Sequence, residues 1–279
     1  TRFRGVTGVQ TCALPISALL GDRMSKPGRI AFWIQAEIVA AATDLAEVIG
    51  GALALHLLFG ISLLWGGVII GAVSMALLVV QGEGKQRQFE TIIVGLLIVI
   101  TLGFLAGLFV APPSPASMLG GLLPRFQGTD SVLVAASMLG ATVMPHAVYL
   151  HSSLVNDHEA DELGPSTADS RHSSGHLSRL LRATRIDIYW ALSIAGLVNI
   201  GLLLLAAAAL AGQSGTDTIE GAHAAISSTL GPIVGTVFAV GLLASGLAST
   251  SVGAYAGSEI MNGLLHIRVP ILVRRLISL

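Results

Sequence analysis

Long apolar blocks alternate with short polar breaks along most of this chain. A helix needs about 20 mostly apolar residues to cross the hydrocarbon of a bilayer. Residues 30–58, 62–80, 89–111, 131–155, 186–211 and 232–265 read as six such spans, and 269–279 as the start of a seventh. The breaks have surface character. GEGKQRQ at 82–88 is a short charged turn, 112–130 is rich in Pro and Gly, and 156–185 is a long polar loop. Residues 212–231 read as a surface segment with a short helix, Asp217 and Glu220 lying at capping-box spacing. The predicted fold class is all-α, a polytopic membrane helical bundle.

Basic residues then orient the spans. If successive breaks alternate sides, Arg23, Lys26, Arg29, Lys85, Arg87, Arg171, Arg179, Arg182, Arg185, Arg268, Arg274 and Arg275 share one side, against Arg125 alone on the other. The positive-inside rule places that side in the cytoplasm, in a multi-pass membrane protein. A wrong span count would scramble this sorting. Composition agrees: 53% of residues are hydrophobic and 11% are charged, against about 25% charged in a soluble domain. Mean hydropathy is +0.79. No basic patch interleaved with aromatics suggests nucleic acid. A single cysteine, Cys12, excludes a disulfide framework and a cysteine metal site. Residues 1–17, TRFRGVTGVQTCALPIS, have neither span nor leader architecture and resemble translated adapter sequence fused to the reading frame. They are set aside, leaving 18–279 as one membrane domain. The abrupt ends suggest a piece of a longer protein.

The chemistry concentrates where an apolar span is interrupted. GATVMPHAVYLHSS, 140–153, carries Pro145 at its centre. Proline has no N–H and clashes with the preceding turn, so carbonyls near Ala141 lose helical partners. A bilayer tolerates such groups only inside protein or along a watery cavity. A broken helix offering the Ala141 carbonyl and the Met144 sulfur at mid-membrane depth suits a moderately soft cation. On a regular helix Ala141 and Met144 lie about 60° apart, whereas Met144 and His146 lie about 200° apart. The same helix thus has a cation side and a side for proton handling at His146. A lone methionine or histidine in a span is commonly core filler; the Met-Pro-His combination is what argues otherwise. His151 reads as structural.

Glu37, Asp44 and Glu47 recur at i, i+7 and i+10 in the first span, within about 80° of one another. Carboxylates in lipid must face the bundle interior or water. They read as a proton or cation path, or as anchors to basic and backbone donors. The sixth span sets Gly241, Ser245, Ser249, Gly253 and Gly257 four apart, which reads as a tight helix contact or a sliding surface. Arg274 and Arg275 either snorkel to headgroups or end a proton path. His158, His172 and His176 sit in a polar loop and read as solvated.

These segments together resemble the Nramp family, the natural resistance-associated macrophage proteins, and within it the bacterial manganese transporters. AEIVAAATDLAEVIGGALAL (36–55) resembles the family's third transmembrane helix and GKQRQFE (84–90) the entry to the fifth. GATVMPHAVYLHSSLV (140–155) is similar to the sixth, ASGLASTSVGAYAGSEIMNGLL (244–265) to the eighth, and Arg274-Arg275 to the start of the ninth. The resemblance covers 18–279. It implies a LeuT-type inverted-repeat fold, present in part, and proton-coupled uptake of Mn2+ or Fe2+. It implies metal ligation by Met144 and by Ala141 through its carbonyl, and places Asp44, Glu47, His146, Arg274 and Arg275 on or near the proton path, with Glu37 from the carboxylate stripe. No enzyme, resident cofactor or obligate protein partner is expected; the partners are metal ion, protons and the bilayer.

The family's first helix, with its Asp-Pro-Gly-Asn ligand motif, has no counterpart here, nor do its second helix and the region past the start of the ninth. The expectation is therefore a truncated chain that does not transport alone. The nearest rival is a LeuT-type transporter of a small organic solute such as an amino acid. An intramembrane hydrolase using Asp44 with Glu47 and a membrane metal sensor are the rivals from other classes.

Overall fold

The structure is a computed structural model, and it describes residues 15–82, 86–110, 112, 118, 120–121, 128–144, 147–154, 174–267 and 273. Every regular element among them is a helix: α1 Ile16–Arg23, α2 Lys26–Phe59, α3 Leu63–Gly82, α4 Gln86–Val110, α5 Gly128–Thr142, α6 147–154, α7 Ser174–Ala209, α8 Ile219–Leu230 and α9 Pro232–Leu265. Five stretches have the length and composition to cross a membrane: Lys26–Phe59, Gln88–Val110, Gly128–Leu154, Leu181–Ala209 and Pro232–Leu265. The apolar part of α3, Leu63–Val79, is shorter. At 1.5 Å per residue it is about 26 Å long, near the minimum for a hydrocarbon core of about 30 Å. Many large apolar side chains face outward, among them Leu64 at 78% and Phe109 at 85% exposure. In water such faces would be a liability; in lipid they meet a matched solvent.

Two local findings differ from the sequence reading. First, α7 starts at Ser174, twelve residues before the span predicted at 186. Hydropathy marks only the part in hydrocarbon, and the Leu, Arg and Ala of the preceding segment favour helix without being apolar enough to register. Second, α8 is not capped by Asp217 with Glu220. Thr218 is its N-cap, and the Thr218 hydroxyl oxygen accepts the Gly221 N–H at 3.1 Å. The helix ends at Gly231, whose φ of 99° suits a residue without Cβ. Pro232 then opens α9 where a missing N–H costs nothing.

The chain divides into two compact units. One comprises Thr1–Ala42, Pro145–Ile194 and Gly253–Ser278. Its core is Tyr149, Ile260 and Leu264, with Leu20, Phe32, Trp33 and Ala36 packed against it. Phe32 meets Tyr149 edge to face, centroids 6.5 Å apart. Here α1 is tied down by polar contacts: the Ile16 N–H donates to Ser152 Oγ at 3.0 Å, and Ser17 Oγ donates to the Glu259 carbonyl at 3.4 Å. Ser153 Oγ donates to Glu259 Oε2 at 2.8 Å, joining α6 to α9. Ser17 is 1% exposed, so Ile16 and Ser17, set aside as part of residues 1–17, already belong to the packed structure. Residues 1–14, with Cys12, lie outside the described residues.

The other unit comprises Thr43–Met144, Ala195–Val252 and Leu279. Leu205, Ala209, Ile226 and Val234 form its core, with Leu108 and Phe238 against it. Helices here approach backbone to backbone. A Cβ at Gly103 would lie 2.9 Å from Gly241 Cα, and one at Gly246 would lie 2.8 Å from Gly51 Cα and 3.0 Å from the Glu47 carbonyl oxygen. The predicted small-residue stripe is only partly used. Gly241 sits at a contact, a Cβ at Gly253 would meet nothing within 4 Å among the described residues, and the main-chain approach at Gly246 lies off the stripe. Straight helices that cross at an angle touch over a turn or two, not along a whole face.

Candidate functional site

The helix interruption is present in the structure. α5 ends at Thr142, Val143 and Met144 are not helical, and helix resumes by 147. The Val143 N–H still bonds to the Leu139 carbonyl at 3.0 Å. The next-but-one carbonyl, on Ala141, would need an N–H from residue 145, and a proline there has none to give. That oxygen is deprived of a helical donor by covalent chemistry. Met144 is half-buried, and Ala141 is exposed at the end of α5. Because Met144 lies past the last helical residue, the 60° relation of a regular helix no longer describes the pair. Nearby hydroxyls are satisfied within their own helix: Thr142 Oγ1 donates to the Met138 carbonyl at 2.8 Å and Ser137 Oγ to Leu133 at 2.9 Å. Pro145, His146, Arg274 and Arg275 lie outside the described residues, as do His158 and His172.

The three carboxylates sit on α2, all half-buried. Asp44 and Glu47 fall in the unit containing α5 and most of α9, whereas Glu37 falls in the other. Within that unit Glu47 shares a side-chain hydrogen bond with Ser249 of α9 and lies close enough to Asp44 to feel its charge. The contact follows from the Gly246–Gly51 approach. Moving towards the C-terminus of α9 and the N-terminus of α2 by about one turn brings Ser249 level with Glu47. The sequence pattern read Ser249 as part of a tight helix contact or a sliding surface; its place one turn past a glycine on a facing helix was the missing signal. Among the described residues no three His, Cys, Asp or Glu side chains gather as a metal cluster. The interruption itself offers a thioether and a main-chain oxygen, and Asp44 and Glu47 are separate groups on α2.

The family model "Natural resistance-associated macrophage protein-like" matches residues 13–279. The chain belongs to the Nramp family. Among curated Nramp relatives, the divalent metal cation transporter MntH of Mycobacterium tuberculosis is 56% identical over 261 residues, covering 93% of this chain and 59% of that protein. MntH of Bacillus subtilis is 41% identical over 261 residues, covering 92% and 59%. Among solved Nramp structures, a manganese transporter of Eremococcus coleocola superposes with a TM-score of 0.81 at 30% identity, covering 96% of this chain and 56% of that one. The chain spans about three-fifths of the length of the curated relatives it matches. The family and the superposition bear out the all-helical, LeuT-type membrane transporter fold, and the transporter relatives place the chain among membrane proteins rather than enzymes. All the relatives named are bacterial, in keeping with a bacterial plasma membrane.

Proposed function

We propose that this Nramp chain carries part of the translocation machinery for proton-coupled uptake of a divalent transition metal, Mn2+ or Fe2+. The observation that carries the reading is the interruption at 143–144, which leaves the Ala141 carbonyl without a helical donor beside a half-buried Met144. In this reading Met144 sulfur and the Ala141 oxygen contact the ion. A thioether disfavours Ca2+ and Mg2+, which take hard oxygen ligands. Two neutral ligands cannot balance a dication, so carboxylates complete the chemistry. Asp44, Glu47 and His146, with Glu37, take and pass the protons that accompany the metal, while Arg274 and Arg275, always charged, flank that path. The Glu47–Ser249 bond supports this for Glu47, because a hydroxyl can both donate to a carboxylate and accept from a carboxylic acid. The similarity to transporters named for manganese and divalent metal supports the substrate class.

The test is labelled Mn2+ uptake into proteoliposomes by this sequence carried within a full-length relative. Met144→Ala is expected to abolish most Mn2+ uptake and to weaken discrimination against Ca2+. Unchanged selectivity in that variant would refute the role given to the sulfur. Mn2+ entry with no accompanying acidification would refute the coupling.

A further inference from the structure

The N-terminal part of α7 carries a basic and aromatic face that the transport reading does not use. Arg179, Arg182 and Arg185 are all exposed, as are Ile186 at 53%, Tyr189 at 67% and Trp190 at 68%. At 100° per residue these six fall within about 140° of the helix circumference. Thr184, the one half-buried residue between 181 and 190, lies about 170° from the centre of that sector. The nearest acid on the helix, Asp187, lies about 130° from the centre. Among the described residues no ion pair engages the three guanidinium groups.

Depth along the helix gives a second, independent observation. Trp190 to Ala209 spans about 29 Å, which matches a hydrocarbon core of about 30 Å. Tyr189 and Trp190 therefore sit where aromatic belts form, at the edge of the hydrocarbon. Arg185 and Arg182 lie about 8 and 12 Å further out, and Arg179 about 17 Å out. The headgroup layer is about 5–8 Å thick on each side. Arginine side chains can snorkel by several ångströms, so Arg185 and Arg182 reach lipid phosphates and Arg179 adds attraction from the surface. The positive-inside reading puts this end in the cytoplasm, whose leaflet carries anionic lipid.

We propose that the Arg179–Arg182–Arg185 face of α7, floored by Tyr189 and Trp190, binds the phosphate headgroup of an anionic phospholipid in the cytoplasmic leaflet. The planar guanidinium fork matches a phosphate's paired oxygens, and the two aromatic rings hold the lipid's upper acyl segment against the helix. The occupant is a lipid rather than free phosphate, because the cations continue directly into an apolar, membrane-depth face.

The purified chain is placed in nanodiscs of phosphatidylcholine with a minority of phosphatidylglycerol, and retained lipid is counted by native mass spectrometry. Selective retention of phosphatidylglycerol is expected, falling about fivefold per arginine neutralised and about a hundredfold in R179Q/R182Q/R185Q, from about 1 kcal/mol per basic residue near an anionic surface. The triple Lys variant keeps most of the attraction, and R23Q/K26Q, two exposed cations beside Asp22, leaves retention unchanged. If the triple Gln variant fails to fold, R182Q alone carries the fivefold test. A photo-crosslinker at Ile186 should give a phosphatidylglycerol adduct. Unaltered retention in the Gln variants, equal loss in R23Q/K26Q, or a protein adduct at 186 would each overturn the proposal.

Discussion

Gly246→Ala tests the crossing that sets Ser249 against Glu47. The added Cβ would stand 2.8 Å from Gly51 Cα, 2.9 Å from Gly51 N and 3.0 Å from the Glu47 carbonyl oxygen. All three are main-chain atoms of α2, so no rotamer change relieves the clash; the helices must separate by roughly half an ångström to reach ordinary contact. Overpacking of this kind costs about 1–3 kcal/mol, and rigid backbone neighbours favour the upper end. Alanine returns about 1 kcal/mol of helix propensity. The net loss is about 2 kcal/mol, which for a chain of this size lowers the midpoint by about 4–8 °C. Gly253→Ala on the same helix is the control. Its Cβ meets nothing within 4 Å among the described residues, so it should gain up to about 1 kcal/mol from propensity alone. Thermal unfolding in detergent, followed by circular dichroism, reads both. If Gly246→Ala matches the parent, or Gly253→Ala falls with it, the backbone approach described here is wrong.

Three further outcomes follow from single contacts. Ser249→Ala removes the hydroxyl bonded to the Glu47 side chain and should cost about 1–3 kcal/mol, read as an earlier midpoint in an SDS titration. Thr218→Ala should cost about 1 kcal/mol and speed amide exchange at Gly221, whose N–H the Thr218 hydroxyl accepts; unchanged exchange there would exclude Thr218 as the cap. Leu205→Ala, in the core with Ile226 and Val234 and 2% exposed, should cost about 2–5 kcal/mol, whereas Leu203→Ala at 50% exposure should stay within about 1 kcal/mol of the parent by the same unfolding assay.

Local chemistry told most of the architecture in advance. α9 begins and ends at the predicted 232 and 265, because Gly231 and Pro232 punctuate its start and Leu265 ends its apolar run. The interruption before Pro145 was also readable, since a missing N–H acts on its own chain regardless of tertiary surroundings. What escaped depends on which faces meet. Nothing along α9 separates Gly246, pressed on Gly51, from Gly253, which meets nothing within 4 Å among the described residues. Ser249 became a carboxylate partner only through that crossing. The start of α7 escaped because hydropathy reports solvent, not backbone conformation. The cap of α8 escaped by one residue, since Asp217 and Thr218 are adjacent and both residue types cap helices.

The oxygen at Ala141 belongs to the main chain, so its availability is governed by a position four residues away. Any side chain small enough to fit can occupy 141 and leave the acceptor in place. A change at 145 to a residue with an amide hydrogen would let the peptide coil onward and consume that acceptor without altering either atom proposed to hold the ion. A mutational scan that watched only the proposed ligands would then credit 145 with shape, when what it governs is a lone pair.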